Sequence, residues 1–426
     1  MQKVVKQNFK KLKGIVTIPA DKSMSHRAII FPSLAKGESI IRNFSTGKDP
    51  HSTLNIFKDL GIDIKFLDNI TVIINSTGKI LPPHKSLDCG NSGTTMRLLT
   101  GLLAGQNFNS TLIGDDSLSK RPMKRVIEPL TQMGAEINSK NFKAPLNILG
   151  KELHSINYKS KIASAQVKSC ILLAGLNADG ITTITEPFIS RNHTEILLQH
   201  MGAKITTQNT TVSIEKSTLN PIEINIFGDI SSAAYFIVAG LIIPNSEIIL
   251  KNVGLNPTRT GILEVVNKMG GQIEILNEHE NCGEIVGDIK VLYSPNLKGC
   301  EISGEIIPRL IDEIPIITVL ATQAQGQTTI SDAEDLRNKE SDRITTIVTE
   351  LKKIGADIEE KQDGIVITGQ TDLQGNCEVE TYHDHRLAMS LFVAGLICKK
   401  EILINGFEWV NISFPEFENM FEKLFN

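Results

Sequence analysis

The sequence predicts an α/β fold made of six copies of one unit. Three observations carry this: an apolar segment that recurs at a near-constant interval, a β-branched run after each copy, and an amphipathic helix that closes on a glycine. The apolar segments are rich in Ala, Leu and Gly, open on a polar cluster, and start near Ser23, Gly93, Ser164, Ser231, Ile311 and Asp384. A spacing of about seventy residues marks a repeated supersecondary unit.

In chain order, the runs SIIRNF from Ser39, STLIG from Ser110, TTIT from Thr182, EIILKN from Glu247, TTIS from Thr328 and EILING from Glu401 read as strands. β-Branched residues bounded by Gly or polar breaks fit a pleated, half-buried surface. The helices NIFKDLG, VIEPLTQMG, ILLQHMG, ILEVVNKMG and VTELKKIG end at Gly61, Gly134, Gly202, Gly270 and Gly355, each suited to a left-handed C-terminal cap before a further strand such as AEIN or ADIEE. The sixth copy stops in its helix, FPEFENMFEKLF.

The two helix types predict where each one lies. TTMRLLTGLLAG and AAYFIVAGLII are apolar almost all round and belong inside; the second set carries a polar face and belongs outside. Six such units form either one solenoid or two closed groups of three. Covering an apolar helix on every side favours closed groups, and 426 residues at roughly 150 per domain give two or three domains.

Hydrophobic residues at 41% and charged residues at 22% exclude disorder, collagen-like repetition and coiled coil. Lys+Arg 44 against Asp+Glu 48 leaves a net charge of -4, so neither a nucleic acid nor an anionic membrane is an expected partner. Any anion site must be a local concentration of charge. Cys89, Cys170, Cys282, Cys300, Cys377 and Cys398 lack CxxC spacing and His neighbours at metal-ligand intervals, which predicts buried free thiols in a reducing compartment and no metal. The basic start MQKVVKQNFKKLKG has no apolar stretch behind it, and no segment is long and apolar enough to span a bilayer, so a cytoplasmic location is expected.

The buried helices share polar openings: Lys22 and Ser23; Asn91, Ser92, Gly93 and Thr94; Ser164 and Gln166; Asp229, Ser231 and Ser232; Asp312; and Asp384, His385 and Arg386. Helix N-termini carry unpaired N–H groups and partial positive charge, so they bind anions, although Ser, Asp and Asn there also serve as ordinary caps. Capping has no use for Lys22, Arg27, Arg121 or Arg386. Three stretches stand out: Asp21-Lys22-Ser23-Met24-Ser25-His26-Arg27, in which Arg27 lies one turn after Ser23; Lys120-Arg121-Pro122-Met123-Lys124-Arg125; and Arg337-Asn338-Lys339-Glu340-Ser341-Asp342-Arg343. On a surface helix the last would be a set of i,i+3 and i,i+4 ion pairs.

The ordered set DKSMSHR, CGNSGTTMR, KRPM, SRNHTE, RNKESDR and DHRLAM, running from near Ile18 to near Phe417, resembles the EPSP synthases, the 3-phosphoshikimate 1-carboxyvinyltransferases among the enolpyruvyl transferases. The resemblance implies two domains, each of three βαβαββ units, with the active site in the cleft between them. Residues 20–227 would form one domain, and residues 1–19 with 228–426 the other. It implies transfer of the enolpyruvyl group of phosphoenolpyruvate to the 5-hydroxyl of shikimate 3-phosphate with release of phosphate, a step of the shikimate pathway towards chorismate and the aromatic amino acids. No cofactor is implied, and a monomer is expected. The lack of a transit peptide or fused domain suits a stand-alone enzyme of bacterial type.

By motif match, Lys22, Ser23, Arg27, Ser164, Gln166, Ser190, Asp312 and Lys339 would hold shikimate 3-phosphate, and Lys22, Gly93, Arg121, Gln166, Arg343 and Arg386 phosphoenolpyruvate. These residue types suit two polyanions: Arg grips a planar carboxylate or phosphate at two points, Lys supplies a point charge, and glycine admits close approach of the backbone. Asp312 would act on the attacking hydroxyl and Glu340 on the methylene carbon, with Lys22 assisting. Outside the family, Asp312 reads as a cap of ITVLATQAQG and Glu340 as a partner of Arg343 or Lys339.

Three positions depart from the common family pattern: Ala165 replaces a second Ser, His193 stands where some members have Tyr, and Ile412 where a subset has Lys. They bear on affinity for substrates and for glyphosate, which competes for the phosphoenolpyruvate site in the family. The sister transferases acting on UDP-N-acetylglucosamine carry a reactive Cys shortly before the Arg-Pro, which the loop Gly114 to Pro122 lacks. A silent anion-binding relative could dispense with Asp312 and Glu340, and both are present.

Overall fold

The computed structural model describes residues 1–6 and 11–425, so residues 7–10 of the basic N-terminal run lie outside the described residues. The chain divides into two compact units, one of Met1–Pro19, Phe227–His279 and Ile285–Asn426, the other of Ala20–Ile226 and Glu280–Glu284.

One strand order recurs. Leu87–Asp88, Ser110–Ile113, Lys143–Leu149 and Glu136–Lys140 lie side by side in that sequence. The first two are parallel, so the helix Gly93–Ala104 between them is a crossover; the last two form an antiparallel hairpin. The sheets led by Asn157–Lys159 and Glu301–Ile302 repeat the pattern.

Three sheets borrow a strand from elsewhere in the chain. Glu223–Asn225, which follows the third copy, pairs in parallel with Lys36–Arg42 of the first and so closes that group of three. Lys13–Thr17 does the same beside Glu247–Gly254. Gln2–Val5 pairs antiparallel with Ile402–Asn405, in the place a hairpin strand takes in the other copies.

The six apolar segments are the helices Lys22–Ser33, Gly93–Ala104, Ala165–Gly175, Ile230–Ile242, Ile314–Thr322 and His385–Gly395. Every residue of Ile230–Ile242 and His385–Gly395 is buried. They can pack closely because small residues face each other: a Cβ on Gly101 would lie 2.1 Å from the Cys170 carbonyl oxygen of the next buried helix. The second helix type keeps one face in solvent, as in Lys124–Gln132, where Val126, Ile127, Pro129 and Leu130 point inward. Gly61, Gly134, Gly202, Gly270 and Gly355 all take φ between 81 and 99°, the left-handed caps expected of them. Phe417–Glu422 is helical, and Phe417 and Phe421 enter an aromatic cluster with Phe236 and Phe392, in which Phe236 and Phe421 stack at 4.3 Å.

Some expectations need correction. The fifth buried helix begins at Ile314 rather than near Ile311, because Pro315 suits the first turn of a helix and a short helix Ile307–Leu310 precedes it. Glu313, not Asp312, occupies its N-cap position. The mixed-charge run is no surface helix: Glu334–Asn338 is a 3-10 turn, and Arg343 opens the helix Arg343–Lys353 in a buried position. Only Cys89, Cys170 and Cys398 are buried; Cys282, Cys300 and Cys377 are half-buried, though all six are free thiols. Among the described residues no helix is long and apolar enough to cross a membrane.

Candidate functional site

Sequence-predicted residues gather in both units. In the unit of Ala20–Ile226, Asp21 caps the helix Lys22–Ser33 by accepting from the Met24 N–H at 2.8 Å. The Lys22 ammonium lies 3.3 Å from Asp49. Arg27 is fixed at three points: Nε donates to Thr194 Oγ1 (2.8 Å), Nη1 to the Ser23 carbonyl (2.9 Å) and Nη2 to Ser169 Oγ (3.0 Å). A guanidinium so held loses little further freedom on meeting an anion. His26 shares a 2.7 Å hydrogen bond with Thr53 Oγ1, and burial, reinforced by Lys22 and Arg27, holds its pKa well below the usual range. It is therefore a neutral ring and adds no charge to the cations beside it.

The helix Gly93–Ala104 is capped by Ser92, whose Oγ accepts from the Thr95 N–H at 3.1 Å. One turn on, Arg97 Nη1 donates to Gln166 Oε1 at 2.7 Å, and Gln166 Nε2 donates to Thr94 Oγ1 at 3.0 Å. Arg121 Nη2 donates to Asn91 Oδ1 at 2.8 Å. A Cβ on Gly93 would lie 2.7 Å from Arg97 Nη1 and 3.4 Å from Arg121 Nη1. Glycine is what lets both guanidiniums close over the helix start. Arg97 is missing from the sequence-predicted set, although it ends the CGNSGTTMR motif at helical spacing from Gly93.

Ser164 takes the N-cap position of Ala165–Gly175 without a side-chain cap bond. Its backbone N–H donates to Glu186 Oε1 at 2.7 Å, and the Ser190 hydroxyl donates to Glu186 Oε2 at 2.8 Å. Lys168, 2% exposed, places its ammonium 2.9 Å from Glu186 and 2.7 Å from Glu195 and donates to the Ser190 carbonyl at 3.2 Å. Burial works against that charge, but Glu195 and Glu186 outweigh it and raise the Lys168 pKa. A lone Lys in an otherwise apolar helix was the signal for these partners. Ala165 opens the helix beside Ser164. His193 Nδ1 lies 2.7 Å from Glu284 Oε1, both side chains being buried, so the ring is already committed to a carboxylate.

In the other unit Arg343 is the hub. Its Nε lies 2.7 Å from Asp384 Oδ2, its Nη2 2.6 Å from Glu340 Oε2, and its Nη1 3.2 Å from Asp312 Oδ1. Arg386 Nη1 donates to the Asp312 carbonyl at 3.3 Å, and its Nη2 lies 3.8 Å from Asp312 Oδ2. Asp384 also caps His385–Gly395 by accepting from the Arg386 N–H at 2.9 Å, and accepts from Ser341 Oγ at 3.1 Å. Burial disfavours the Arg343 charge, but Asp384 and Glu340 overcome it and raise its pKa; for Arg386 Asp312 does the same. Burial likewise pushes the Asp384 carboxyl up, and Arg343 more than reverses this, holding it below the usual carboxylate range. The guanidiniums are deeply buried, whereas Asp312 and Glu340 keep 15% and 20% of their side-chain surface exposed, so the carboxylates are the accessible members.

Behind this hub, Arg259 Nη2 donates to Asp229 Oδ1 and Ser231 Oγ at 2.9 and 2.8 Å, and the Ser231 hydroxyl donates to Glu313. Lys339, next to Glu340 in the chain and half-buried, directs its ammonium at Asp335, 3.0 Å away. Ile412 is buried at the end of the 3-10 helix Phe407–Ile412, an apolar core position. Among the described residues no group of His, Cys, Asp and Glu is arranged to hold a metal ion.

Both clusters combine fixed guanidiniums with hydroxyls and helix N-termini, a chemistry that grips carboxylates and phosphates. The second adds two accessible carboxylates able to move protons.

The model of the EPSP synthase (3-phosphoshikimate 1-carboxyvinyltransferase) family matches residues 6–421. A 3-phosphoshikimate 1-carboxyvinyltransferase of Petrotoga mobilis is 53% identical over 416 residues, 96% of each chain, and one of Thermodesulfovibrio yellowstonii is 51% identical over the full length of both. Among solved structures, EPSP synthase from Acinetobacter baumannii superposes with a TM-score of 0.89 at 40% identity, covering 99% of this chain and 98% of that one. The enolpyruvyl transferase NikO from Streptomyces tendae shares the fold, with a TM-score of 0.80 at 15% identity, over 99% of this chain and 96% of its own.

Proposed function

We propose that this chain, which belongs to the EPSP synthase family, transfers the enolpyruvyl group of phosphoenolpyruvate to the 5-hydroxyl of shikimate 3-phosphate and releases phosphate. The observation that carries the assignment of residues is the Arg343 hub, where one buried guanidinium holds both Asp312 and Glu340. Lys22, Ser23, Arg27, Ser164, Gln166 and Ser190, with Asp312 and Lys339, bind shikimate 3-phosphate. Lys22, Gly93, Arg121, Gln166, Arg343 and Arg386 bind phosphoenolpyruvate.

Asp312 takes the proton of the attacking hydroxyl and Glu340 supplies one to the methylene carbon. A substrate carboxylate on Arg343 competes for Nη2, which Glu340 Oε2 otherwise meets at 2.6 Å. In the collapse of the tetrahedral intermediate the two roles are exchanged: Glu340 takes a proton from the methyl carbon as the C–O bond to phosphate breaks, and Asp312 gives its proton to the departing phosphate. The substrate brings its own activated group, and the working unit of the proposal is one chain without cofactor. Six free thiols suit a reducing compartment, which supports the cytoplasm as its location.

Phosphate release from phosphoenolpyruvate, measured with shikimate 3-phosphate, with UDP-N-acetylglucosamine and with neither, tests the proposal. Turnover is expected in the first mixture only; turnover in the second would transfer the assignment to the sister reaction.

A further inference from the structure

We infer that Glu186, anchored by Lys168, is a positioning residue that sets the spacing of Ser164 and Ser190 and thereby tunes affinity for the phosphate of shikimate 3-phosphate. The inference rests on the assignment of those two serines to that substrate. One carboxylate reaches both: Oε1 accepts from the Ser164 N–H and Oε2 from the Ser190 hydroxyl, at 2.7 and 2.8 Å. It thus ties the N-terminus of the helix Ala165–Gly175 to the loop after the strand Ile181–Thr185. Neither serine needs to touch the other for the distance between them to be fixed.

Lys168 meets this buried carboxylate with an opposite charge. Its ammonium lies 2.9 Å from Glu186 Oε2 and also reaches the Ser190 carbonyl, so the same cation fixes the carboxylate and the backbone of the serine it holds. Glu195, 2.7 Å from the ammonium on its other side, fixes the lysine in turn.

The arrangement also decides what Ser190 can offer. Its hydroxyl proton is given to Glu186, so Ser190 must turn that proton away from the carboxylate to donate to a phosphate oxygen. Lys168 stays on Glu186 Oε2 when it does, and the carboxylate keeps a partner. The exchange therefore leaves no orphaned charge, and Lys168 keeps the Ser190 backbone in place while the hydroxyl turns.

The test uses the full chain and steady-state kinetics with both substrates varied, with melting temperatures as a control on folding. Glu186→Gln keeps shape but places an amide N–H against the ammonium or the serine hydroxyl. It is expected to raise KM for shikimate 3-phosphate by about tenfold while KM for phosphoenolpyruvate changes less than about threefold, one lost charge-assisted bond being about that large. Lys168→Met should shift the same constant in the same direction; if it fails to fold, Glu186→Gln still decides the matter. Because Glu186 acts in part through Ser190, the losses in the double variant with Ser190→Ala should combine to less than the product of the two single losses. Equal rises in both KM values, an unchanged KM, or multiplicative losses in the double variant overturn the positioning role. If Ser164→Ala and Ser190→Ala both leave KM for shikimate 3-phosphate unaltered, the substrate assignment of these serines falls as well.

Discussion

Replacing Gly93 by Ala probes how tightly the two guanidiniums close over the second buried helix. The new Cβ would stand 2.7 Å from Arg97 Nη1, against an ordinary contact of about 3.5 Å, so the guanidinium must retreat by roughly 0.8 Å. Its 2.7 Å bond to Gln166 Oε1 would stretch by a comparable amount, out of the range of a good hydrogen bond. Losing a charge-assisted bond costs about 1.5–3 kcal/mol, equivalent to a tenfold or greater effect on affinity. The same Cβ also comes to 3.4 Å from Arg121 Nη1. The fold is spared, since the atoms met are the ends of flexible side chains and Ala is a better helix former than Gly by up to about 1 kcal/mol.

The expected result is a KM for phosphoenolpyruvate raised at least about tenfold, a smaller rise in the KM for shikimate 3-phosphate through the shared Gln166, and an unchanged or slightly higher Tm. Initial rates of phosphate release over a grid of both substrates, with a thermal melt, measure all three. An unaltered KM for phosphoenolpyruvate would refute the reasoning, and so would a Tm loss large enough to account for the kinetics.

Gly101→Ala is expected to behave in the opposite manner. Its Cβ would meet a backbone oxygen, Cys170 O at 2.1 Å, so the two buried helices must part, at a cost of about 3 kcal/mol or more; chemical denaturation reads this as a lower midpoint. Asp312→Ala should lower kcat by about 10²-fold or more with smaller changes in either KM, and a loss confined to KM would remove its proton-transfer role. His26 gives a pH dependence. Its folded pKa is depressed, so the unfolded chain binds more protons below the ordinary value of 6.5, and stability must fall as pH drops from about 7 to 5. His26→Gln should flatten that slope in urea titrations at several pH values. Asp384→Asn removes the strongest partner of a buried guanidinium and should cost about 3–5 kcal/mol at neutral pH. Because the folded pKa of Asp384 is lowered, the wild-type advantage is present above the ordinary 3.8 and fades as pH falls through the folded value, which acid titration of both proteins would show.

Local chemistry was the legible part. Periodic apolar runs, β-branched stretches and the five capping glycines placed helices and strands because each depends on neighbours within a few residues. The ordered motifs carried the family, and with it Lys22, Arg27, Gly93, Arg121, Arg343 and Arg386. Arg97 and Lys168 were within reach as well, one at helical spacing from Gly93, the other a lone charge in an apolar helix.

Tertiary structure decided what depends on residues far apart in the chain. No spacing shows that Glu223–Asn225 returns to Lys36–Arg42, or that Gln2–Val5 joins Ile402–Asn405, since strand partners are set by the whole core. The run Arg337 to Arg343 reads as surface because mixed charges usually stay in water. Arg343 is instead buried, since Asp312 and Asp384 arrive from other repeats with Glu340 to meet its charge. Burying a cation is affordable only where such partners converge, and a sequence read along one dimension does not show where they meet.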